Sequence, residues 1–383
     1  VLCFVAEEFF MEPVLACCPQ RGVRPKTTCG QDALFRWTSS KTGLSRRKCH
    51  PCWQWIAAGA AGAFARTRLV RRSAMPGTCT EQLMEWRGHQ VRCISCGDSG
   101  SVGGSHPSIV LVHGFGGSIE YWRRTLPALS AAGYTVHAID LLGLGLSEKP
   151  DVTYSIDLWA SQVADFCSQL GEDVVLVGNS FGSLISLVAT ARKNVQPKGI
   201  VMLNCAVGMN NKNMLKSPSM NGFQKWFAGL VLSLVDAIFK SPVLDYLFTQ
   251  FATTETVKNV LTGLYPTNPD AVDTELAEGF VKPAETPGAL QVLRQIYTGD
   301  PGPTPMEVFE DPCFATLPVK VIWGSEDTLT PLTGAVGAYF TALAKERETL
   351  DFELIPGGHI PHDENPDAVN KAMLAWLERK PWQ

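Results

Sequence analysis

The sequence Gly-Asn-Ser-Phe-Gly at residues 178–182 lies between a short apolar run and a helical stretch. The run, residues 174–177, predicts a buried strand, and residues 181–193 predict a helix. In so tight a turn, side chains at the two glycine positions would collide with the strand and the helix, and the serine is held in a strained conformation with its hydroxyl exposed. A helix N-terminus also favours the anion that develops on a reacting carbonyl. The pattern predicts Ser180 as a nucleophile.

A serine hydroxyl is a weak nucleophile at neutral pH and needs a general base. His359 follows two glycines, in the interval between a predicted last strand, residues 352–355, and a predicted closing helix, residues 366–378. A loop of this kind carries the base in serine hydrolases of this strand-helix pattern. His362 is the competing residue, but its position near the helix start suits capping or packing. We therefore expect His359 to be the base.

The base must be held in one tautomer by a carboxylate. The turn after a predicted strand at residues 319–323 contains Glu326 and Asp327. The acid usually stands one residue further into such a turn, and Asp327 then keeps the chain order Ser, Asp, His. Asp327 is the predicted acid, and Glu326 is the alternative.

A tetrahedral intermediate needs two backbone N–H donors for its oxyanion. Phe181, directly after the serine, supplies the first. The second is expected from the His-Gly-Phe-Gly-Gly loop that follows a predicted strand at residues 108–112, where the amide of Phe115 comes near the nucleophile. His113 in the same loop is expected to be structural.

The elements that must position these residues alternate along the chain. Apolar runs without alternation predict buried parallel strands at residues 108–112, 135–139, 174–177, 199–203 and 319–323. Helical stretches are predicted at residues 121–132, 156–170 and 181–193. An alternating run at residues 91–95 predicts an antiparallel opening strand. Strands and helices in this order predict an α/β fold with a doubly wound, mostly parallel sheet.

The interval between the strand ending near Ala206 and the strand starting at Val319 is far longer than a loop. Apolar residues in it recur at three-four spacing, as in an amphipathic helix: Phe223, Trp226, Phe227, Leu230, Val231, Leu234, Val235, Ile238 and Phe239. We expect most of these side chains to pack against the body. Ligands of α/β proteins bind at the carboxyl ends of the strands. We therefore predict that the chain from about residue 207 to about residue 314 forms a helical cap at that edge, inserted before the penultimate strand.

The N-terminal segment differs from the rest of the chain. Residues 11–76 contain twelve Lys and Arg against Glu12 and Asp32, and they show no helix or strand period. This composition is typical of an organellar transit peptide, and a disordered basic tail is the alternative. Arg46-Arg47 before an apolar stretch also fits a twin-arginine signal to a lumen. We predict residues 1–79 as this segment and residues 80–383 as the catalytic domain.

Charge and cysteine content exclude several classes of function. The net charge is −4, and the residues after 76 sum to about −12 without a basic stripe, so nucleic acid is not an expected partner. Seven of the twelve cysteines precede residue 80, and we expect the body to keep its cysteines reduced. The pair Cys93 and Cys96 lies in a predicted strand, where positions three apart face opposite sides, so no metal site is expected. No other cofactor is implied. No run of 18 apolar residues occurs, and no membrane-spanning helix is expected.

Over residues of about 83–380 the chain resembles the α/β-hydrolases, and within them a plastid branch that includes pheophytinases and chlorophyll dephytylases. The resemblance is carried by the His-Gly-Phe-Gly and Gly-Asn-Ser-x-Gly motifs, by Tyr-Ser-Ile-Asp-Leu-Trp at residues 154–159, and by residues 358–366. It implies hydrolysis of a carboxylic ester with a long apolar group, such as a phytyl ester of a chlorophyll derivative. It also implies a chloroplast location, stromal or at the thylakoid, where a peripheral membrane contact and no obligate protein partner are expected. The branch usually has Leu-Gly-Gly after the serine, where this chain has Phe181-Gly182-Ser183.

Three other functions share the fold. A receptor or scaffold would bind a ligand without cleaving it, and an acyltransferase or a general lipid esterase would use the same three residues. Epoxide hydrolases and dehalogenases resemble each other in using an aspartate nucleophile, so Ser180 argues against both.

Overall fold

The computed structural model describes residues 68–69, 79–97, 106–192, 195–216 and 220–383. The predicted N-terminal segment, residues 1–79, and its twin-arginine signal therefore lie outside the described residues, except for residues 68–69 and Cys79.

The described residues form one sheet of nine strands. Its strands are β1 (Arg68–Leu69), β2 (Cys79–Trp86), β3 (His89–Cys96), β4 (Ser108–Val112), β5 (Val136–Ile139), β6 (Val174–Asn179), β7 (Gly199–Leu203), β8 (Val319–Gly324) and β9 (Leu350–Ile355). Their order is β1-β2-β3-β5-β4-β6-β7-β8-β9. Strands β4 to β9 are parallel to one another, and β1 to β3 add antiparallel pairs at one side. The prediction of a mostly parallel, doubly wound sheet is confirmed.

Strand β2 was not predicted. It pairs with β3 through a two-residue turn at Arg87 and Gly88, which both have positive φ. Such a turn matches the twist of the flanking strands, and Arg87 gives little sequence signal for it. The predicted strand at residues 91–95 is therefore the second strand of a hairpin.

Helices cover both faces of the sheet. They are α1 (Thr125–Ala131), α2 (Ile156–Leu170), α3 (Phe181–Ala191), α4 (Gly222–Lys240), α5 (Val243–Phe251), α6 (Thr254–Gly263), α7 (Thr274–Glu285), α8 (Ala289–Thr298), α9 (Pro305–Phe309), α10 (Ala335–Leu343), α11 (Pro361–Glu364) and α12 (Pro366–Glu378). Alternate residues of β4 enter two cores, because successive strand side chains point to opposite faces. Val110 and Val112 pack in the core with α2 and α3, whereas Ile109 and Leu111 pack in the core with α1 and α12.

The interval predicted as a cap, residues 207–314, contains α4 to α9 between β7 and β8. The amphipathic pattern does form the helix α4, and the expectation that most of its nine apolar residues pack inward holds for a narrow majority, since one is buried, four are partly buried and four are exposed. Phe239 is buried, whereas Phe223, Trp226, Leu230 and Leu234 are more than half exposed. The periodicity of the pattern predicts a helix and not the direction in which its apolar face points.

By length and composition, α4 is apolar enough to cross a membrane, with a mean hydropathy of 1.3. The expectation that the chain lacks such a helix is therefore wrong by this measure. Polar residues such as Lys225 and Asp236 interrupt the apolar run without removing its overall hydropathy.

The cysteines also differ from expectation. Cys79 and Cys96 stand opposite each other on β2 and β3 and form a disulfide, so the expectation of a fully reduced body is wrong at this pair. Cys93, on the same strand as Cys96, is buried and free. Among the described residues, no group of three His, Cys, Asp or Glu side chains is placed to hold a metal ion.

An ion-pair network ties residues 207–314 to the rest of the fold. Arg123, just before α1, donates from Nε to Asp363 Oδ1 at 2.8 Å and from Nη1 to Asp273 Oδ2 at 2.7 Å. The Asp363 side chain is fully buried, and Asp273 is the N-cap of α7. A buried carboxylate is stable only when it is paired, so this arginine joins the cap to the segment after β9.

Replacing Arg123 with Met should lower the free energy of unfolding by about 3 kcal/mol, because Asp363 then stays buried without its main partner. Arg192→Met is the matched control, since its pair with Asp157 is about half exposed on both sides and should contribute less than about 1 kcal/mol. Urea unfolding followed by circular dichroism measures both variants. Equal losses in the two variants would contradict this role for Arg123.

Candidate active site

Ser180 occupies the turn between β6 and α3. Its backbone has a φ of 52°, which is rare outside glycine, and its N–H donates to Leu203 O at 2.8 Å on the neighbouring strand. A Cβ at Gly178 would lie 2.4 Å from the backbone of Gly182, and a Cβ at Gly182 would lie 2.1 Å from Val112 O. The two glycines therefore allow the backbone contacts that hold the serine in this conformation.

Three predicted residues meet at the carboxyl end of the sheet. The Nε2 atom of His359 lies 2.8 Å from Ser180 Oγ, and its Nδ1 atom lies 2.8 Å from Asp327 Oδ2. Ser180 follows β6, Asp327 follows β8 and His359 follows β9, so parallel strands bring together residues that are far apart in the chain. His359 and Asp327 are both buried. This arrangement allows a proton to pass from the serine to the histidine, with the charge of the imidazolium balanced by the aspartate.

Asp327 is held as a carboxylate. Burial alone would raise its pKa, but the charge of His359 and hydrogen bonds from His359 and Thr330 outweigh burial and lower the pKa to about 2. Thr330 Oγ1 and Asn204 Nδ2 each donate to Oδ2 at 2.5 Å. The amides of Leu329 and Thr330 donate to Oδ1 at 2.8 and 3.0 Å. Asp327 therefore stays ionised even at a pH at which ordinary carboxyl groups are half protonated.

Glu326 and His362, the alternatives to Asp327 and His359, lie outside this series of contacts. Glu326 is exposed. His362 is fully buried and stacks on Trp122 with ring centroids 4.1 Å apart, and burial lowers its pKa to about 3, so it is neutral at physiological pH. The expected structural role of His113 agrees with its contacts, because its ring nitrogens bond to Gly114 O and to the amide of Leu141.

Asn179 joins the loops around the serine. Its Nδ2 donates to His359 O at 3.1 Å and to Leu203 O at 3.2 Å, and its Oδ1 accepts from Tyr121 Oη at 3.0 Å. Tyr121 Oη also accepts from the amide of Gly114, next to the predicted oxyanion loop. Asn179 thereby fixes three segments relative to one another.

The supporting roles of Asn179 and Tyr121 were not predicted from the sequence, and Asn204 and Thr330 were not identified at all. Asn204 directly follows the apolar strand β7, and its Oδ1 accepts from the amide of Gly324 at 3.0 Å while its Nδ2 binds Asp327. Thr330 lies three residues after Asp327. A polar residue at the carboxyl end of a buried parallel strand is the signal that would have found Asn204, since such residues face the ligand crevice.

Phe115 and Phe181, the predicted oxyanion donors, line the same cavity as Ser180. Their rings meet edge to face, with centroids 6.5 Å apart. Phe181 is the first residue of α3, so its backbone N–H has no acceptor within the helix. Phe115 lies in the loop after β4, which runs beside Ser180.

A second cavity adjoins the first. Phe115 and Phe280 line both, so the two cavities meet beside the loop after β4. The walls of the second cavity are apolar apart from Lys149, as far as the described residues show, and include Phe248 and Phe251 of α5. The amine of Lys149 donates to Gly145 O at 2.7 Å. The pair of cavities can hold a ligand whose reactive carbonyl lies at Ser180 and whose apolar part extends under α5.

Comparison with known proteins agrees with this architecture. A model of the alpha/beta hydrolase family matches residues 109–372, more than half of the chain. The chain is 25% identical over 308 residues to the chloroplastic pheophytinase of Arabidopsis thaliana, a match that covers 71% of this chain and 61% of that protein. It is 24% identical over 285 residues to the 2-hydroxy-6-oxo-6-(2'-aminophenyl)hexa-2,4-dienoic acid hydrolase of Metapseudomonas resinovorans, with 72% and 86% covered.

Among solved structures, the epoxide hydrolase VrEH1 of Vigna radiata is similar, with a TM-score of 0.59 at 18% identity over 79% of this chain and 98% of that one. This likeness supports the fold, and the predicted α/β-hydrolase fold is confirmed. The chain spans about three fifths of the Arabidopsis relative's length.

Replacing Gly182 with Ala should destabilise the protein by about 1–3 kcal/mol, because the new methyl group must displace the backbone of β4 or α3. Gly229→Ala is the matched control, since this helical glycine of α4 has open space around its Cβ position and alanine there should stabilise by up to about 1 kcal/mol. Urea unfolding measures both changes. A neutral effect of Gly182→Ala would show that the close approach at Val112 is not needed.

Proposed function

The chain belongs to the alpha/beta hydrolase family, and we propose that it is a serine hydrolase that cleaves carboxylic esters. The observation that supports this most directly is the linear contact series from Ser180 Oγ through His359 to Asp327, with 2.8 Å at each step. Serine at the nucleophile position argues against the aspartate chemistry of the epoxide hydrolases, to which the chain is also similar.

In this proposal Ser180 Oγ attacks the ester carbonyl carbon, and His359 Nε2 takes the hydroxyl proton. The carbonyl oxygen becomes an oxyanion, which accepts hydrogen bonds from the amides of Phe115 and Phe181. The intermediate collapses, the alcohol leaves with the proton from His359, and an acyl-serine remains. Water, deprotonated by the same histidine, then attacks the acyl carbon and releases the acid. Asp327 stays ionised throughout and stabilises the imidazolium.

The substrate we propose is an ester with a long apolar group, such as the phytyl ester of a chlorophyll derivative. The apolar cavity that adjoins the Ser180 cavity supports a group of this kind, because burial of each methylene there contributes about 0.8 kcal/mol. The similarity to a chloroplastic pheophytinase supports the same class of substrate. It also supports a chloroplast location, which stays a proposal.

Replacing Ser180 with Ala should abolish both fluorophosphonate labelling and ester turnover, because the hydroxyl 2.8 Å from His359 Nε2 is removed, whereas the Thr330 hydroxyl lies on the other ring nitrogen, 3.4 Å from Nδ1. Ser186→Ala is the matched control on the same helix, where the hydroxyl bonds to Gly182 O. It should keep labelling and turnover. Turnover that persists without Ser180 would refute the serine mechanism, and a bound ester recovered intact from the wild type would favour a receptor.

The apolar cavity should determine which ester is cleaved. Phe251→Ser should raise KM for a phytyl ester such as pheophytin by about tenfold, since it removes apolar contacts worth about 1.4 kcal/mol. KM for a short acyl ester should not change, because Phe251 lines the second cavity and not that of Ser180. Product analysis with pheophytin, chlorophyll and simple acyl esters measures both. An equal effect on long and short esters would show that the cavity does not bind the apolar group.

A further inference from the structure

An exposed apolar surface runs along two helices of the cap. On α4, Phe223, Trp226, Leu230 and Leu234 follow one another at helical spacing and are 70%, 63%, 57% and 52% exposed. On α5, Val243 and Tyr246 are 54% and 66% exposed. We call these six residues the cap stripe. Large apolar side chains exposed together on one face of a helix, as on α4, mark interaction sites in soluble proteins.

The opposite side of α4 packs directly over the Ser180 cavity. Phe239 stacks on Tyr297 with ring centroids 4.3 Å apart, and Tyr297 meets Phe115 edge to face at 6.0 Å. Tyr297 and Phe115 both line the cavity that contains Ser180. The C-terminal end of α4 is therefore separated from the proposed active site by one aromatic layer, and the cap stripe lies on the opposite side of the same helix.

Helix α5 connects the cap stripe to the apolar cavity. Tyr246 and Val243 face outward, whereas Phe248 and Phe251 of the same helix line the cavity. The same short helix thus presents apolar residues both to the outside of the cap and to the space proposed for the long apolar group. A partner that covers the stripe and also supplies that group must itself be apolar.

The charges around the cap stripe favour insertion over electrostatic attraction. None of its six residues is charged, Lys225 and Lys240 lie near the two ends of α4, and the acidic neighbours Asp236 and Asp245 are paired with Lys212 and Arg294. The chain carries a net charge of −4, so it is not attracted as a whole to an anionic surface. Trp226 and Tyr246 have the amphipathic rings that favour the boundary between lipid and water.

From this surface we infer that the cap stripe docks on a lipid bilayer, with α4 lying in the plane of the interface. The helix is long enough to span a bilayer, but spanning would break its inner contacts. Asp236 pairs with Lys212 at 3.1 Å, and Arg294, on α8, binds Phe239 O at 2.8 Å. An interfacial position keeps these contacts and buries only the stripe. As a route for substrate, this inference rests on the proposed function, because a long-chain ester dissolved in the bilayer would enter under α5.

The test is cosedimentation of the full chain with phosphatidylcholine vesicles at about 0.1 M and about 1 M NaCl, where high salt screens any contribution of the basic N-terminal segment. The double variant Leu230→Glu with Leu234→Glu should bind at least about tenfold more weakly, because two inserted side chains are lost. Leu354→Glu is the matched control, since Leu354 is 48% exposed on the edge strand β9 and is not part of the cap stripe. It should bind like the wild type.

A second readout does not depend on a charged substitution. Brominated phosphatidylcholine should quench the tryptophan fluorescence of the wild type more than that of Trp226→Phe, because Trp226 enters the lipid.

Turnover of a short soluble ester should be unchanged in the double variant Leu230→Glu with Leu234→Glu, whereas its turnover of pheophytin in vesicles should fall.

The outcomes separate this inference from the proposed function. Salt-resistant binding that is equally strong in Ser180→Ala and weak in the double variant supports docking, whether or not esters are cleaved. Ester cleavage by a protein that does not bind vesicles overturns docking and leaves the proposed function standing. A dimer in sedimentation that dissociates in the double variant, without vesicle binding, overturns docking in favour of a second copy of the chain.

Discussion

The close backbone approach of α3 to β4 is the constraint on which the rest of the site depends. At Gly182 the helix lies so near Val112 that no side chain fits, and at Gly178 the strand is equally close to the helix. This contact forces the chain to reverse within one residue, and Ser180 takes the strained conformation. Strain at this position is therefore offset by packing elsewhere and keeps the hydroxyl in the cavity.

The site also requires that loops distant in sequence lie at the same edge of the sheet. The parallel strands meet this requirement. The loops after β6, β8 and β9 carry Ser180, Asp327 and His359. Three separate loops would not by themselves keep the atoms of these residues 2.8 Å apart. Hydrogen bonds from polar side chains between the loops keep them there. Asn179 binds the carbonyl of His359, and Asn204 bridges β8 and Asp327. Each of these amides is buried, so leaving one unpaired would cost more than the hydrogen bond contributes.

The cap combines a rigid attachment with an open outer surface. Glu364, after the His359 loop, accepts hydrogen bonds from the amide of Gly358 at 2.5 Å and from Thr267 at 2.7 Å, and Arg123 joins Asp363 to Asp273. The same buried acidic segment thus positions the histidine and anchors the cap. Helices α4 and α5 are held by ion pairs of their own, Asp236 with Lys212 and Asp245 with Arg294, and they also carry the exposed aromatic and aliphatic residues of the cap. A cap built in this way can meet a lipid surface while its base keeps the geometry around His359.

The local sequence pattern was enough to predict the parallel strands and the three residues of the candidate site. The apolar runs predicted the parallel strands, and the Gly-x-Ser-x-Gly turn, the loop position of His359 and the turn containing Asp327 predicted the three residues that the structure brings together. These signals are local, because a strand, a turn and a helix each follow from spacing and residue type. Only the tertiary structure decided which neighbours surround them. Asn204 and Thr330 reach Asp327 because β7 lies beside β8, and Cys79 meets Cys96 because a hairpin forms at Arg87. The outward direction of the apolar face of α4 was also a tertiary decision, since periodicity defines a face and packing determines what the face meets.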